Sequence, residues 1–390
     1  MNEQATYFAA LATALAAANL HKPSLVIDLD RLNGNLAEMR RRLPDELGLR
    51  IVDKSLPSVP LMRHVASIFG GERIMSFHLP VTRAMLEAFP EAEILYGKPL
   101  PVAALRHALE TAPRTERKDL VERVVWLIDT KERLEQYAAL AADADVRLRF
   151  AFEVDTGMHR GGVADAAGVK ELSDLSLKHP RLKCEGIMGY EAHIPEIPGL
   201  FGGARGETAR VLGRLREFVS VLPLEHRAII NAGGSKTSIT YAADGVVNEV
   251  SMGSGFLMPT DFDVEALRNL KPALFIATPV LKVGPVRLPG PFFVTRVLQA
   301  LGLFPRKGCF LYGGKWSAKP VWPEGMKENA IWGLSSNQQL MALPDDCDIE
   351  VDDLAFFRPT QSEAVLQQFG DIAVYSEGKI VDQWPVLPTG

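Results

Sequence analysis

The strongest constraint on the fold is a regular alternation of apolar runs and helical patterns between residues 24 and 255. The segments between the runs, such as RLNGNLAEMRRRL and KERLEQYAALAADA, carry apolar residues at helical spacing. Few polar residues interrupt the runs, as in a parallel sheet that is covered on both faces. The apolar runs lie at 24–29, 49–54, 73–77, 93–97, 123–129, 147–155, 184–193, 227–234 and 246–255. Eight or nine βα units in about 230 residues predict a (β/α)₈ TIM barrel, with a doubly wound sheet as the alternative.

The pattern changes after about residue 262. Short strand-like runs such as KGCFLYGG and DIAVYSEGKIVDQW are separated by Gly and Pro turns, which predicts a C-terminal antiparallel β-domain. The apolar stretch YFAALATALAAANL near the N-terminus is too short to span a bilayer, and no basic residue precedes it as in a signal peptide. We therefore expect an N-terminal helix at 1–23 that packs on the C-terminal region, a barrel at 24–261 and a β-strand-rich domain at 262–390.

Composition excludes several classes of partner. The chain has 43 basic and 48 acidic residues, a formal net charge of -5 and no dense run of Lys or Arg, so we expect no nucleic acid or membrane partner. The three cysteines are far apart in the sequence, which disfavours a disulfide framework or a thiolate zinc site. A reducing compartment, the cytoplasm, fits this usage.

Polar residues end several of the predicted strands. Because the reactive groups of TIM barrels gather at the carboxyl ends of the strands, Lys54, Arg160, Tyr190, His193 and Asn231 are candidates for one common site. Each alone has an ordinary structural explanation, a salt bridge for the lysine or a hydrogen-bonded core position for a histidine. Their joint placement on one rim favours a functional site.

Two glycine-rich turns follow the last two barrel strands. NAGGSKT contains Gly233, Gly234 and Ser235, and MGSG contains Gly253 and Ser254. Glycine lets backbone N–H groups approach an anion and a hydroxyl adds a donor, so these turns suit a phosphate, although simple turns are the alternative. A lysine, a phosphate site and a histidine on one rim together suggest a pyridoxal phosphate site.

The ordered motifs resemble fold-type III pyridoxal phosphate enzymes of the D-threonine aldolase and D-serine dehydratase group. The segments that carry the resemblance are PSLVIDLDRLNGNLAEM, LRIVDK, FEVDTGMHRGGV, GYEAH, NAGGSKT, NEVSMGSG and the C-terminal FGDIAVYSEGKIVDQWPVLPTG. The resemblance covers residues 22–390 and implies an alanine racemase-like fold. It further implies that Lys54 bonds to the cofactor aldehyde, that Arg160 and Tyr190 bind the cofactor, and that His193 is the base at the substrate hydroxyl.

The chain departs from that group at its metal site. The group carries a His-x-Cys or His-x-Asp pair after a proline, and this chain has RPTQSEAV there, with no histidine beyond His226. Gln361 and Glu363, or Thr360 and Ser362 in the other register, could hold Mg²⁺ or Mn²⁺ through oxygen atoms; the alternative is that no metal binds.

Two further departures concern the cofactor's surroundings. Gly255 replaces a tyrosine, and Ser251 stands where alanine racemases have the arginine that faces the pyridine nitrogen. The second change disfavours a racemase.

The resemblance implies a homodimer acting on a small amino acid substrate. We predict a lyase that cleaves D-3-hydroxy amino acids to glycine and an aldehyde. Dehydration depends more heavily on a Lewis acid at the β-oxygen, and the metal residues are altered. A D-serine or 3-hydroxyaspartate dehydratase, an amino-acid racemase and a non-catalytic pyridoxal phosphate-binding protein are the alternatives.

Overall fold

A computed structural model describes residues 3–242 and 245–388. The α-helices are α1 (Glu3–Ala17), α2 (Leu29–Arg42), α3 (Val59–Phe69), α4 (Leu79–Ala88), α5 (Val102–Thr111), α6 (Arg114–Glu122), α7 (Lys131–Asp143), α8 (Ala166–Ser176), α9 (Gly203–Ser220), α10 (Phe292–Ala300) and α11 (Glu363–Leu366). The strands are β1 (Ser24–Asp28), β2 (Gly48–Val52), β3 (Arg73–Ser76), β4 (Glu93–Tyr96), β5 (Val124–Ile128), β6 (Leu148–Val154), β7 (Leu182–Gly189), β8 (Ile229–Ala232), β9 (Glu249–Met252), β10 (Leu274–Pro285), β11 (Lys307–Tyr312), β12 (Ala318–Trp322), β13 (Lys327–Glu328), β14 (Gln338–Leu343), β15 (Leu354–Pro359), β16 (Ile372–Ser376) and β17 (Lys379–Trp384).

Strands β2 to β9 form a closed parallel barrel, which confirms the predicted (β/α)₈ fold. The ring closes where β9 pairs with β2, with Leu49 opposite Val250. Side chains from seven neighbouring strands fill the interior, namely Val52, Met75, Leu95, Val125, Leu127, Ala151, Met188 and Ile229. The barrel interior is therefore a packed core rather than a channel. Burying each Val, Leu, Ile or Met side chain of this layer contributes about 1.5–3 kcal/mol to the stability of the fold.

Charged residues fill the amino-terminal end of the same barrel. The Arg50 guanidinium is fully buried; it donates from Nε to Glu249 Oε1 at 2.8 Å and from Nη2 to Glu93 Oε1 at 3.0 Å. Arg149 bonds the other Glu93 oxygen and donates to Glu185 at 2.7 Å. Burial alone would raise the pKa of Glu93, but Arg50 and Arg149 outweigh it and hold that pKa below its usual range. Every charge in this network thus has a partner of opposite sign.

The apolar run at 24–29 forms a strand, but the expectation that it belongs to the barrel is wrong. β1 pairs antiparallel with β10, with Ser24 opposite Ala277, and parallel with β16, with Val26 opposite Ala373. All five residues of β1 are buried, as in a barrel strand, so the apolar pattern alone cannot distinguish the two sheets. The barrel unit comprises Leu36–Phe256 and Val264–Arg268, and it therefore begins after β1 rather than at residue 24.

The second compact unit holds the chain up to Asn35, Leu257–Asp263 and the residues from Asn269 onward. Its sheet has the order β13-β14-β11-β10-β1-β16-β17, while β15 pairs with β10 and β12. All of these pairs are antiparallel except β1 with β16, which confirms the predicted antiparallel domain. Helix α1 packs on this sheet through Phe8, whose ring centroid lies 4.8 Å from that of Phe356.

Candidate active site

Lys54 lies directly after β2, in a 3₁₀ turn that spans Asp53–Ser55. Its side chain is exposed, and its Nζ atom lies 4.6 Å from the centroid of the Phe77 ring. The neighbouring Asp53 is only 1% exposed. Burial raises the pKa of Asp53 to about 7, against the opposing effects of Ser76 and Lys54. The turn therefore presents an amine at the rim and keeps a carboxyl group beneath it.

The two glycine-rich turns meet beside Ser55, the residue after this lysine. The Gly253 N–H donates to Ser235 Oγ at 3.2 Å, which joins the turn after β9 to the turn after β8. A methyl group on Gly253 would lie 2.6 Å from Ser55 Cβ, so only glycine lets the segment containing Lys54 approach this closely. Ser254 is buried and begins the 3₁₀ turn Ser254–Phe256. Three segments that are far apart in the sequence thus meet at Ser55, the residue after Lys54.

Tyr190 lies across the turn after β8. A methyl group on Gly234 would lie 2.6 Å from Tyr190 Cε2, so the ring rests against the Gly234 backbone. The Arg160 guanidinium lies 5.2 Å from the centroid of the same ring, within the range of a cation–π contact. Three predicted cofactor residues, Arg160, Tyr190 and Gly234, are therefore in one cluster.

His193 is hydrogen-bonded to α9, a helix that carries none of the predicted site residues. Its Nε2 atom lies 3.1 Å from Glu207 Oε1 on α9, and Arg210 donates to Glu207 Oε2 at 2.7 Å. Desolvation would raise the pKa of Glu207, but Arg210 and His193 outweigh it and hold that pKa below its usual range. Because a carboxylate only accepts, it favours the tautomer of His193 with the proton on Nε2 and the lone pair on Nδ1.

Glu191, between Tyr190 and His193 in the sequence, is a second buried acid at the rim. It is 0% exposed, and its Oε1 atom accepts a hydrogen bond from the Thr237 hydroxyl at 3.0 Å. Burial raises the pKa of Glu191 to about 7, while Tyr241, Thr237 and the Gly233 amide oppose the rise. The sequence could have indicated Glu191 only by its carboxylate and by its position between two predicted site residues, Tyr190 and His193.

Asn231 lies one layer below the other predicted residues, inside the barrel. Its Nδ2 atom donates to Glu249 Oε1 and to Ser251 Oγ, both at 2.9 Å. Its Oδ1 atom accepts from the Ser251 hydroxyl at 3.1 Å. Glu249 thus connects Asn231 to the charged network at the amino end, and Ser251 is a second polar residue of β9 that lies next to it.

The predicted metal residues belong to the antiparallel unit. Gln361 donates from its amide to Asp261 Oδ2 at 3.1 Å, and Glu363 begins α11. Within residues 3–242 and 245–388, no group of three or more His, Cys, Asp or Glu side chains is arranged to hold a metal ion. Over the same ranges, no helix is both long enough and apolar enough to cross a membrane.

Comparison with known proteins agrees with this geometry. Residues 27–260 match the family described as alanine racemase, N-terminal domain. Alanine racemase 1 of Bacillus subtilis (strain 168) is 27% identical over an alignment of 175 residues, which covers 39% of this chain and 43% of that protein. The chain therefore matches less than half the length of this curated relative.

Two solved structures share the fold over nearly the whole chain. D-threonine aldolase from Filomicrobium marinum has a TM-score of 0.72 and 14% identity, covering 93% of this chain and 94% of its own. D-threo-3-hydroxyaspartate dehydratase from Delftia sp. HT23 has a TM-score of 0.69 and 18% identity, covering 94% and 98%. The family match spans more than half of the chain and confirms the predicted resemblance to fold-type III enzymes: the protein belongs to the alanine racemase N-terminal domain family.

Proposed function

We propose that this protein is a pyridoxal phosphate-dependent lyase that cleaves D-3-hydroxy amino acids into glycine and an aldehyde. The observation that carries the proposal is the position of Lys54, an exposed amine at a strand end. The Gly253 turn packs against Ser55, the residue after Lys54, and is hydrogen-bonded to Ser235. An aldehyde cofactor with a phosphate requires an amine and a set of hydrogen-bond donors within one small space, and the residues present meet that requirement. When bound, pyridoxal phosphate withdraws electrons from the substrate Cα.

Each named side chain then has a defined part. Lys54 holds the cofactor through its amine, and the turns after β8 and β9 bind its phosphate. Tyr190, held between Gly234 and Arg160, is a flat surface against which an aromatic ring can rest. Ser251 is a neutral residue, and a neutral partner for the pyridine nitrogen fits a lyase better than a racemase.

His193 is the group that would take the proton of the β-hydroxyl. Retro-aldol cleavage needs a base at that oxygen, and general-base catalysis contributes typically about 10²–10⁴-fold. Glu207 occupies Nε2, so Nδ1 is the nitrogen with a lone pair for this proton. Among the residues that the structure describes, Nδ1 of His193 is buried without a hydrogen-bond partner, so no other group of the protein uses its lone pair.

The proposal is tested by product identity. The purified protein, loaded with pyridoxal phosphate, is incubated with D-threonine, D-serine and D-3-hydroxyaspartate and with each L-enantiomer, with EDTA or with Mn²⁺. We expect glycine and an aldehyde from D-threonine. A 2-oxo acid with ammonia would instead identify a dehydratase, and the enantiomer alone a racemase; no product from any substrate would reject the substrate class.

Two variants accompany this assay. Lys54→Ala should remove activity with every substrate. Lys98→Ala is the matched control, because Lys98 is also an exposed lysine that follows a barrel strand, in this case β4. We further propose that the active form is a homodimer, as the family resemblance implies, and light scattering of the purified protein measures this directly.

A further inference from the structure

Thr237 connects the turn after β8 to the buried carboxyl group of Glu191. The Gly234 N–H donates to Thr237 Oγ1 at 3.0 Å, and Thr237 Oγ1 donates to Glu191 Oε1, also at 3.0 Å. A hydroxyl group has one proton, and Glu191 is the closer of its two acceptors, since the Gly234 carbonyl lies 3.5 Å from Thr237 Oγ1. Thr237 is 1% exposed and Glu191 0% exposed, so water cannot replace either bond.

The same turn presents Ser235. The oxygen of the Ser235 hydroxyl accepts from the Gly253 N–H, which leaves the hydroxyl proton for another acceptor. The turn is closed from within, because the N–H groups of Thr237 and Ser238 both donate to the Gly234 carbonyl at 2.9 Å. Ser235 lies between Gly234 and Thr237 in this turn. We therefore expect the hydrogen bonds of Thr237 to determine where the Ser235 hydroxyl points.

We propose that Glu191 and Thr237 are positioning residues that hold the turn of residues 234–237 in the conformation that binds the phosphate group of the cofactor. The inference rests on the cofactor proposed above. Glu191 does not itself contact the phosphate, because it is fully buried and its carboxyl group faces the Thr237 hydroxyl and the Gly233 amide. A carboxylate in direct contact with a phosphate would repel it.

A purely structural role for Thr237 predicts a different result from a positioning role. If the hydroxyl only stabilises the barrel, its loss lowers the unfolding temperature and affects all ligands alike. If it shapes the phosphate site, its loss weakens the binding of a phosphorylated ligand more than that of the same ligand without phosphate. Pyridoxal phosphate and pyridoxal form this pair, since both carry the aldehyde that reacts with Lys54.

The experiment measures dissociation constants of both ligands by absorbance titration, and the readout is the ratio of the pyridoxal constant to the pyridoxal phosphate constant. Thr237→Val keeps the shape and removes the hydrogen bonds, and we expect it to lower the ratio about tenfold, the usual effect of losing a buried hydrogen bond. Thr237→Ser keeps the hydroxyl and should retain the ratio of the wild type. Ser173→Ala is the control, because it removes a buried hydroxyl that contacts His226 at 3.1 Å on another part of the barrel.

Three outcomes would overturn the inference. An unchanged ratio in Thr237→Val, which includes an equal loss of affinity for both ligands, would reduce Thr237 to a structural residue. If this variant does not fold, Thr237→Ala is measured and judged by the same ratio. Equal affinity of the wild-type protein for both ligands would mean that no phosphate site exists, although Lys54 would still bind an aldehyde. Failure of the wild-type protein to bind either ligand would reject the cofactor proposal together with this inference.

Discussion

At the amino end of the barrel, the buried guanidinium of Arg50 is bonded to Glu249 and Glu93, whereas at the carboxyl end Asp53 and Glu191 are equally buried but have pKa values of about 7. The first arrangement keeps every group charged, because each charge has a partner of opposite sign. The second leaves acids that gain or lose a proton near neutral pH, and such groups cluster at functional sites. The same barrel therefore uses buried charge for stability at one end and offers titratable groups for chemistry at the other.

The largest effect on stability is expected at the amino end. Arg50→Met should lower the free energy of unfolding by about 3–5 kcal/mol, because it leaves the buried carboxylate of Glu249 without its main cation. Arg73→Met is the control: Arg73 also faces Glu249, at 3.5 Å, but its side chain is 48% exposed. Urea denaturation should show a change below about 1 kcal/mol for this exposed pair. Equal losses in the two variants would contradict the distinction between buried and exposed charge.

At the carboxyl end, the effect of a buried acid should depend on pH. The pKa of Glu191 is raised in the folded protein from 4.5 to about 7, so the folded state binds more protons than the unfolded state between these values. The contribution of Glu191 to stability is therefore fully present below about 4.5 and is lost as the pH rises to about 7, by about 3 kcal/mol in total.

Glu191→Gln removes this dependence. The stability of the variant relative to wild type, from urea denaturation at a series of pH values, should increase between pH 4.5 and about 7 and stay constant on either side. A flat difference across that range would mean that Glu191 titrates normally. Thr237 can still donate to the amide oxygen of the glutamine, so the turn itself should be preserved.

A smaller effect is expected from the partner of the proposed base. Glu207→Gln should lower kcat about 10–100-fold with little change in KM. Arg210 can only donate, so it would take the single amide oxygen of the glutamine, and the amide NH2 would then face His193 Nε2 and favour the other tautomer. Glu217→Gln, an exposed residue on the same helix α9, should leave both constants unchanged. The ¹⁵N chemical shifts of His193 in the protein without cofactor provide an independent readout, because they distinguish the two tautomers. An unchanged tautomer and an unchanged kcat in Glu207→Gln would together contradict this role.

The smallest effect is predicted for Lys236, the one cation in the turn after β8. Its Nζ atom lies 2.9 Å from Glu196 Oε1, and the Glu196 side chain is 68% exposed. Such pairs contribute about 0.2–1 kcal/mol, so Lys236→Ala should change the free energy of unfolding by no more than this. A loss of affinity for pyridoxal phosphate comparable to that in Thr237→Val would show instead that Lys236 contacts the phosphate.

The barrel could be predicted from the sequence because its eight strands are short buried runs separated by amphipathic segments. The placement of β1 could not, since a strand buried on both faces has the same pattern in either sheet. The rim positions of Lys54, Tyr190 and His193 followed from strand ends, because parallel strands end on one face of a barrel. Asn231 also ends a predicted strand, but it lies within β8 and its side chain is fully buried among polar partners.

The partners of these residues were not predictable in the same way. Glu207 follows His193 by fourteen positions and reaches it from a helix, a contact that depends on how α9 packs on the barrel. Glu191 resembles an ordinary solvent-exposed glutamate in the sequence, and only the fold shows that it is fully buried. Side chains that act through another residue are set by tertiary packing, whereas strand ends are set by the local pattern.

If Lys54 holds the cofactor as proposed, borohydride reduction will fix the cofactor to this residue. The wild-type protein is incubated with pyridoxal phosphate, reduced, digested and mapped by mass spectrometry. We expect one pyridoxyl group on the peptide that contains Lys54, and no stoichiometric label in Lys54→Ala. Stoichiometric label on Lys98, on Lys236 or on any other lysine, with Lys54 unmodified, would contradict it.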